Sequence, residues 1–223
     1  MGEELEQDLN SSELGTKEYW EKIYSEEIDN FEDHGDVGEV WFGKNNAVKM
    51  VRCISEDLSL SRTDKILDIG CGNGWTLVQL SKAGFTDLVG VDYAPSAINL
   101  ARAVLEDNQV VPCKVHLMVG DILNTQDNLF LYEFRLIHDK GTYDAISLSP
   151  DNSSEKRHQY VENVHKILGT GGYLVISSCN WTQEELVKQF ENYFDVALTI
   201  AAPVMKFGGK IGQSVTNIVF KKK

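Results

Sequence analysis

The glycine-rich stretch around Gly70 carries the residues best suited to chemistry in this chain. An apolar run that includes one acid, Asp68, leads into glycines at alternate positions, Gly70, Gly72 and Gly74. Glycine lets the backbone turn tightly and lets a ligand approach it closely. In open α/β sheets, ligands bind beyond the carboxyl ends of the strands, where this loop would lie. The stretch therefore predicts a ligand-binding loop between a buried strand and a helix.

Two further acids follow the next predicted strands and favour the same interpretation. Asp92 ends the strand after the one that holds Asp68, and Asp121 follows a third strand. A carboxylate at such a strand end accepts hydrogen bonds from both hydroxyls of a ribose, a bidentate arrangement that neutral side chains do not match. On its own, an acid there is commonly a helix cap. Three acids at successive strand ends, in register with the glycines, favour a nucleoside-containing cofactor.

The spacing of the glycines indicates which cofactor. A dinucleotide-binding G-x-G-x-x-G pattern needs a glycine where this chain has Trp75, which weakens a nicotinamide assignment. The pattern D-x-G-x-G-x-G from Asp68 instead resembles motif I of the seven-strand, Rossmann-like methyltransferases that use S-adenosylmethionine. In that family an acid accepts from the adenine amino group and the next residue contacts the ring. The cofactor-binding residues that the resemblance implies are Asp68, Gly70, Gly72, Gly74, Asp92, Tyr93, Asp121 and Ile122.

The end of the fourth predicted strand should face the reacting methyl group. The sequence D-K-G-T-Y-D-A, from Asp139 to Ala145, lacks the Asn/Asp-Pro-Pro-aromatic motif of adenine-N6 and related amino methyltransferases. It resembles the protein-lysine methyltransferase group that modifies translation elongation factor 1-alpha. The resemblance extends from about residue 14 to residue 223 and implies methyl transfer to a lysine of that protein. Further matching segments are Y-W at 19–20, E-V-W-F-G at 39–43, S-C-N-W-T at 178–182 and F-G-G at 207–209.

A lysine acceptor adds one chemical demand, because its amine has a pKa of about 10.4 in water and must be neutral to react. An aromatic, partly desolvated channel lowers that pKa, and a carboxylate orients the amine or helps to remove its proton. We expect Asp139 to be that carboxylate. The alternatives are that Asp139 binds the methionine amino group of the cofactor or caps a turn. The expected channel walls are Trp41, Tyr143 and Trp181, with simple packing as the alternative for Trp41.

The elements that position these residues follow from the hydrophobic periodicity. Short apolar runs alternate with helix-length segments, which is typical of a parallel sheet with helices on both faces. Strands are predicted at 65–69, 87–91, 114–119, 134–138, 172–177, 196–201 and 215–220. Helices are predicted at 17–27, 45–58, 75–83, about 96–108, 155–168 and 182–190. We therefore predict an α/β, Rossmann-like seven-strand methyltransferase sheet, mostly parallel, with the last two strands forming an antiparallel edge hairpin.

We divide the chain into an acidic tail over residues 1–14, which we expect to be disordered, and a single methyltransferase domain over 15–223. Within that domain, residues 15–60 form an N-terminal helical extension and residues 64–223 form the Rossmann-like core. We expect the extension to be a lid, because Trp20 and Trp41 flank a glycine-containing hinge. A surface that docks the partner is the alternative.

The charge of the chain restricts its partners. It has 223 residues with 34 acids and 21 bases, a formal net charge of −13 at pH 7. Thirteen of the acids lie in residues 1–36, where the only bases are Lys17 and Lys22. We expect no binding to nucleic acid or to a membrane surface, because both are themselves negative. The acidic segment is a candidate for steering a basic protein partner, as we expect the elongation factor to be.

The remaining composition disfavours metals and disulfides. Four cysteines at wide spacings predict reduced thiols, and the five histidines form no ligand-like cluster, so no metal site is expected. No apolar stretch is long enough to span a bilayer, and the N-terminus lacks a signal-peptide pattern. We expect a cytoplasmic monomer, with the nucleus left open.

Two other functions stay open at the level of sequence. One is a small-molecule methyltransferase of the same fold, and the other is a non-catalytic binding subunit that has kept the fold. The second is disfavoured because the cofactor motifs are intact. The sequence leaves open which lysine is modified and how many methyl groups are added.

Overall fold

The core of the protein is a seven-stranded sheet with helices on both faces. The computed structural model describes residues 9–111, 114–201, 204–207, 210–213 and 215–223. The strands are Ile66–Ile69 (β1), Leu88–Asp92 (β2), Val115–Val119 (β3), Phe134–Lys140 (β4), Leu168–Ser178 (β5), Phe194–Thr199 (β6), Val204–Phe207 (β7), Lys210–Gln213 (β8) and Thr216–Lys222 (β9). The main sheet has the order β3-β2-β1-β4-β5-β9-β6, and β7 and β8 pair separately. The predicted mostly parallel sheet is observed.

Seven α-helices connect these strands in the described part of the chain. They are Lys17–His34 (α1), Lys44–Arg52 (α2), Trp75–Lys82 (α3), Pro95–Asp107 (α4), Thr142–Ser147 (α5), Ser153–Ile167 (α6) and Gln183–Phe190 (α7). A capping box is present at the start of α7, with Thr182 and Glu185 each bonding the other's backbone. Ser96, the second residue of α4, does not cap this helix. Its hydroxyl donates instead to the carbonyl oxygen of Glu21, so it joins α4 to α1.

Parallel pairing brings three strand ends together at one edge of the sheet. β1 lies between β2 and β4, and its last residue, Ile69, is opposite Val91 on one side and Asp139 on the other. Because these strands run in the same direction, the loops that follow them share one side of the molecule. That side is where the sequence placed the ligand.

The two closing strands, β6 and β9, form the predicted antiparallel pair at the edge of the main sheet. β9 is antiparallel to both β5 and β6 and lies between them, so that β6 is the edge strand. Ile218, Val219 and Phe220 of β9 are all buried, which suits a strand covered on both faces. The glycines at 208–209 lie outside the described residues.

Alternate residues of the central strands face two separate hydrophobic clusters. Leu67 packs with residues of α6 and α7, whereas the neighbouring Ile66 packs with residues of α2, α3 and α4. A strand buried on both faces is expected in a parallel sheet that carries helices on each side. No helix in the described part of the chain is both apolar and long enough to traverse a bilayer.

The segment before α1 is attached to the domain. Residues 13–15 form a short 3-10 turn, and the backbone N–H of Ser12 donates to the carbonyl oxygen of Leu148 at 3.0 Å. A Cβ at Gly15 would lie 2.2 Å from that same oxygen, so only glycine allows this approach. The expectation of disorder therefore does not hold for residues 9–14, and residues 1–8 lie outside the described part.

Candidate active site

A cavity of about 630 Å³ opens at the carboxyl ends of the central strands. Its walls come from the loops after β1, β2, β3, β4 and β5 and from the chain before α2. We call residues 9–43 the N-terminal cover, because this segment closes one side of the cavity. The cavity thus joins the predicted cofactor loop to the predicted lid.

The glycine loop is built so that two of its members admit no side chain. Gly70, Gly72 and Gly74 all have positive φ, at 61°, 51° and 72°. A Cβ at Gly70 would lie 2.0 Å from the hydroxyl of Thr142, and one at Gly72 would lie 2.5 Å from the hydroxyl of Tyr24. Glycine adopts this backbone conformation at no steric cost. The loop therefore brings bare backbone to the cavity.

Asp92 is fixed beside this loop and lines the cavity. Its Oδ2 accepts from the backbone N–H of Gly72 at 3.1 Å, and its Oδ1 accepts from that of Ala94 at 3.0 Å. Burial raises the pKa of Asp92 to about 6, while the two backbone hydrogen bonds act in the opposite direction. Because a carboxylate has about four acceptor sites, Asp92 keeps capacity for ligand hydroxyls.

Tyr93, Asp121 and Ile122 also line the cavity. The hydroxyl of Tyr93 donates to the carbonyl oxygen of Thr16, which ties the N-terminal cover to the end of β2. Asp121 accepts from the backbone N–H of Leu123 at 2.8 Å. The structure thus brings Gly70, Gly72, Asp92, Tyr93, Asp121 and Ile122 onto one cavity, whereas the predicted Gly74 does not line it.

Asp68 lies behind the loop and does not line the cavity. It is buried, and its Oδ1 accepts a hydrogen bond of 2.7 Å from Nδ1 of His138. In the described part of the chain, Nε2 of His138 is buried without a partner. We therefore revise the role of Asp68 from direct cofactor contact to support of the loop through β4.

Asp139 also points away from the cavity, in contrast to the expected role as the amine-orienting carboxylate. Its Oδ1 accepts from the backbone N–H of Thr142 at 2.9 Å, and its Oδ2 accepts from that of Tyr143 at 3.0 Å and from the hydroxyl of Tyr160 at 2.5 Å. Burial raises its pKa to about 7. These contacts make Asp139 the cap of α5, which is the turn-capping alternative considered above.

Of the three expected channel walls, only Trp41 lies on the cavity. Tyr143 is buried, with its hydroxyl bonded to Gln189 and its ring centroid 5.1 Å from that of Tyr160. Trp181 is buried as well, and its Nε1 donates to the hydroxyl of Ser147 at 3.0 Å. We therefore reassign Tyr143 and Trp181 to the packing between the sheet and α5–α7.

Aromatic residues of the N-terminal cover take the place of those walls. Trp20, Tyr24, Trp41 and Phe42 line the cavity, and the rings of Trp20 and Trp41 are 5.1 Å apart. Phe42 has φ of 64°, an uncommon conformation for a side chain of this size, and its ring faces Gly141. Strained residues persist where the surrounding structure holds them, and they cluster at ligand sites.

Sequence reasoning passed over Asp144, which also lines the cavity. Its Oδ1 accepts from the hydroxyl of Ser178 at 2.5 Å, and its Oδ2 accepts from the backbone N–H of Cys179 at 2.7 Å. Burial raises its pKa. The sequence feature that could have identified Asp144 is its position as the second acid of the D-K-G-T-Y-D-A segment. Lys140 lines the same wall, and burial lowers its pKa.

Within the described ranges, no group of three or more histidine, cysteine or acidic residues is arranged to hold a metal ion. The site therefore consists of a glycine loop, carboxylates and an aromatic cover.

Comparison with known proteins places this geometry among methyltransferases. A family model described as a methyltransferase domain matches residues 60–219. The human protein named EEF1A lysine methyltransferase 2 is 41% identical over 95% of this chain and 87% of its own length. Protein-lysine N-methyltransferase efm4 of Schizosaccharomyces pombe is 37% identical over 96% of this chain and 95% of its own length.

Solved structures of low identity share the fold. Magnesium protoporphyrin IX methyltransferase from Synechocystis, with bound S-adenosylmethionine, has a TM-score of 0.66 at 14% identity and covers 93% of this chain and 95% of its own. N-methyltransferase NodS from Bradyrhizobium japonicum, in complex with S-adenosyl-L-homocysteine, has a TM-score of 0.66 at 15% identity, with coverages of 91% and 98%. These likenesses support the Rossmann-like sheet predicted from the sequence.

Proposed function

Because the chain belongs to the methyltransferase-domain family, together with the lysine methyltransferases it matches over nearly its whole length, we propose that it methylates a lysine of translation elongation factor 1-alpha. It is an S-adenosylmethionine-dependent protein-lysine N-methyltransferase. One observation carries this proposal: the glycine loop, Asp92 and the aromatic N-terminal cover all line the same cavity.

The residues of the cavity fit S-adenosylmethionine. Gly70 and Gly72 line the cavity with backbone alone, and a Cβ at either position would meet Thr142 or Tyr24, so the loop requires glycine there. Asp92 has acceptor capacity for the ribose hydroxyls, and Ile122 offers an apolar surface to the adenine ring. When bound, S-adenosylmethionine supplies a methyl group that joins the amine nitrogen as the methyl–sulfur bond breaks and its electron pair stays on sulfur.

The chain itself contributes positioning and exclusion of water. Methyl transfer from a sulfonium is an in-line displacement, so alignment of the two reactants accounts for much of the acceleration. The aromatic rings of Trp20, Trp41 and Phe42 cover the cavity and favour the neutral form of an amine within it. The lysine amine must lose one proton before it reacts, because only the neutral amine has the lone pair that bonds to the methyl carbon.

Charge complementarity supports a basic protein as the substrate. The acids outnumber the bases thirteen to two in residues 1–36, and seven of these acids lie on α1, which contributes Lys17, Trp20 and Tyr24 to the cavity wall. Opposite charge raises the rate of association more than it raises affinity. We further propose that the enzyme is a monomer that acts without nucleic acid or membrane. We place it in the cytoplasm, with the nucleus left open.

Methylation of a purified substrate tests the proposal. The enzyme is incubated with S-adenosylmethionine carrying a labelled methyl group and with elongation factor 1-alpha, and the label is located by mass spectrometry. We expect label on one lysine, and none with the Asp92→Ala variant. A parallel reaction with a cell lysate addresses the alternative, because label confined to small molecules would indicate a small-molecule methyltransferase.

A further inference from the structure

One carboxylate on the cavity wall is held in place by the protein and is not among the residues assigned to the cofactor. Asp144 lies in α5 and is buried, although it lines the cavity. The hydroxyl of Ser178 and the backbone N–H of Cys179 each donate to a different oxygen of this carboxylate. The Cys179 thiol and the backbone N–H of Asn180 also interact with this carboxylate, which with about four acceptor sites still has capacity for a ligand.

The turn after β5 is organised around the contact with Asp144. The hydroxyl oxygen of Ser178 accepts from the backbone N–H groups of Asn180 and Trp181, at 3.2 and 3.1 Å, while its own proton goes to Asp144. At the other side, the cap formed by Asp139 fixes the first turn of α5. Two separate elements thus set the position of one carboxylate, as expected for a preorganised site.

A second observation at the same wall points to a ligand. Nδ2 of Asn180 is buried and has no hydrogen-bond partner within the described residues, and Asn180 lines the cavity. Buried polar groups in native proteins are satisfied in the great majority of cases, so an unsatisfied donor calls for an explanation. A polar ligand beside Asp144 would provide the partner.

Sheet order separates this polar pair from the nucleoside contacts. Asp92 ends β2 and Asp121 follows β3, on one side of β1. Asp144 and Asn180 follow β4 and β5, on the other side. A ligand that bridges the cavity would place its nucleoside on the first side. The second side is then left for the group that receives the methyl.

We propose that Asp144 binds and orients the amine of the substrate, and that Asn180 completes the polar wall around it. This inference rests on the proposed function and adds the residue that selects an amine. Asp144 accepts N–H hydrogen bonds and leaves the nitrogen lone pair free for the methyl carbon. Asp139, which sequence reasoning assigned to this task, acts one step away by holding α5.

A cofactor analogue tests the inference without any protein substrate. Sinefungin carries an amine-bearing carbon where S-adenosylmethionine carries its methyl sulfonium, whereas S-adenosylhomocysteine has neither. Calorimetry gives the dissociation constant of each for the wild type and for Asp144→Asn. We expect the variant to weaken sinefungin binding about tenfold or more, as for loss of a charged hydrogen bond, and S-adenosylhomocysteine binding less than twofold.

Three outcomes would overturn the inference. The first is an unchanged preference between the two ligands. The second is equal weakening of both, which would assign Asp144 to the amino-acid part of the cofactor. The third is the same change in Asp151→Asn, the matched control at an exposed acid nearby.

Turnover on elongation factor 1-alpha separates this inference from the proposed function. We expect Asp144→Asn to lower kcat about a hundredfold with little change in the KM for S-adenosylmethionine. A wild type that leaves the elongation factor unmethylated would contradict the proposed function, while the analogue measurement would still decide the role of Asp144. If Asp144→Asn fails to fold, Asn180→Ala replaces it, with an expected severalfold loss of the sinefungin preference; an unchanged preference would overturn the inference.

Discussion

The side-chain amide of Asn73 donates a hydrogen bond of 2.8 Å to the carbonyl oxygen of Val37. Asn73 belongs to the glycine loop, whereas Val37 lies in the segment between α1 and α2. The same amide donates to the carbonyl oxygen of Glu39 at 3.3 Å, and its Oδ1 accepts from the backbone N–H of Trp75 at 3.2 Å. One side chain therefore connects the cofactor loop, the start of α3 and the N-terminal cover.

Removing this amide should loosen the cover and weaken cofactor binding together. We expect Asn73→Ala to raise the dissociation constant of S-adenosylmethionine about tenfold, since each lost hydrogen bond costs about 1 kcal/mol. Calorimetry measures the affinity and thermal melting measures the stability. Asn99→Ala, at an exposed position of α4, is the control and should change neither quantity. An unchanged affinity in Asn73→Ala would show that the cover and the loop are independent.

Cofactor binding should depend on the ionisation of Asp92. Its pKa in the free enzyme is about 6, because burial disfavours the carboxylate. Ribose hydroxyls donate to the charged form, so the affinity should fall as the pH drops through about 6, by at most about tenfold per pH unit. Calorimetry between pH 5 and 8 measures this dependence. Asp92→Asn should bind weakly with a flat profile over the same window, and a sloping profile in the variant would assign the titration to another group.

Asp139 should contribute to stability with a pH dependence of defined sign. Its pKa is raised from 3.8 when unfolded to about 7 when folded, so between these values the folded state binds more protons. The contribution of this group therefore declines as the pH rises from about 4 to 7. Denaturant unfolding should show that the free energy of unfolding changes less with pH in Asp139→Asn than in the wild type over this range. If the free energy of unfolding depends on pH equally in both proteins, the titration does not belong to Asp139.

The sequence predicted what lies at each strand end better than it predicted where side chains point. Asp92 ends β2 and Asp139 lies one residue before the end of β4, and hydrophobic periodicity located both positions. Their directions depend on residues far away in the chain: Asp92 meets Gly72, whereas Asp139 meets Tyr160 of α6. Residues 142–147 form a helix that the sequence analysis did not identify, and this helix turns Tyr143 inward. Periodicity contains no information on such tertiary contacts, which explains why Asp144 was passed over.

The contact between Tyr24 and Gly72 of the glycine loop can be tested with two single variants and the double variant. A Cβ at Gly72 would lie 2.5 Å from the hydroxyl oxygen of Tyr24 and 3.2 Å from its Cζ. Gly72→Ala should therefore destabilise the protein by about 1–3 kcal/mol and abolish tight cofactor binding. Adding Tyr24→Phe removes the closest atom and should restore part of both losses. Tyr24→Phe alone is the control, and a double variant no better than Gly72→Ala would show that backbone strain alone accounts for the defect.

The acidic N-terminus should act through charge, and a short deletion isolates that effect. Residues 1–8 hold four acids and no base. A deletion that ends at residue 8 keeps the hydrogen bond between Ser12 and Leu148. Removing residues 1–8 should lower kcat/KM for elongation factor 1-alpha severalfold at low salt, and the difference should vanish as salt screens the charges beyond about 8–10 Å. A full-length variant with those four acids changed to their amides should behave like the deletion, because length is then unchanged. The dissociation constant of S-adenosylmethionine should stay the same in both. If wild type and variants share one salt dependence, residues 1–8 serve only as a solvated tail and steering arises from α1.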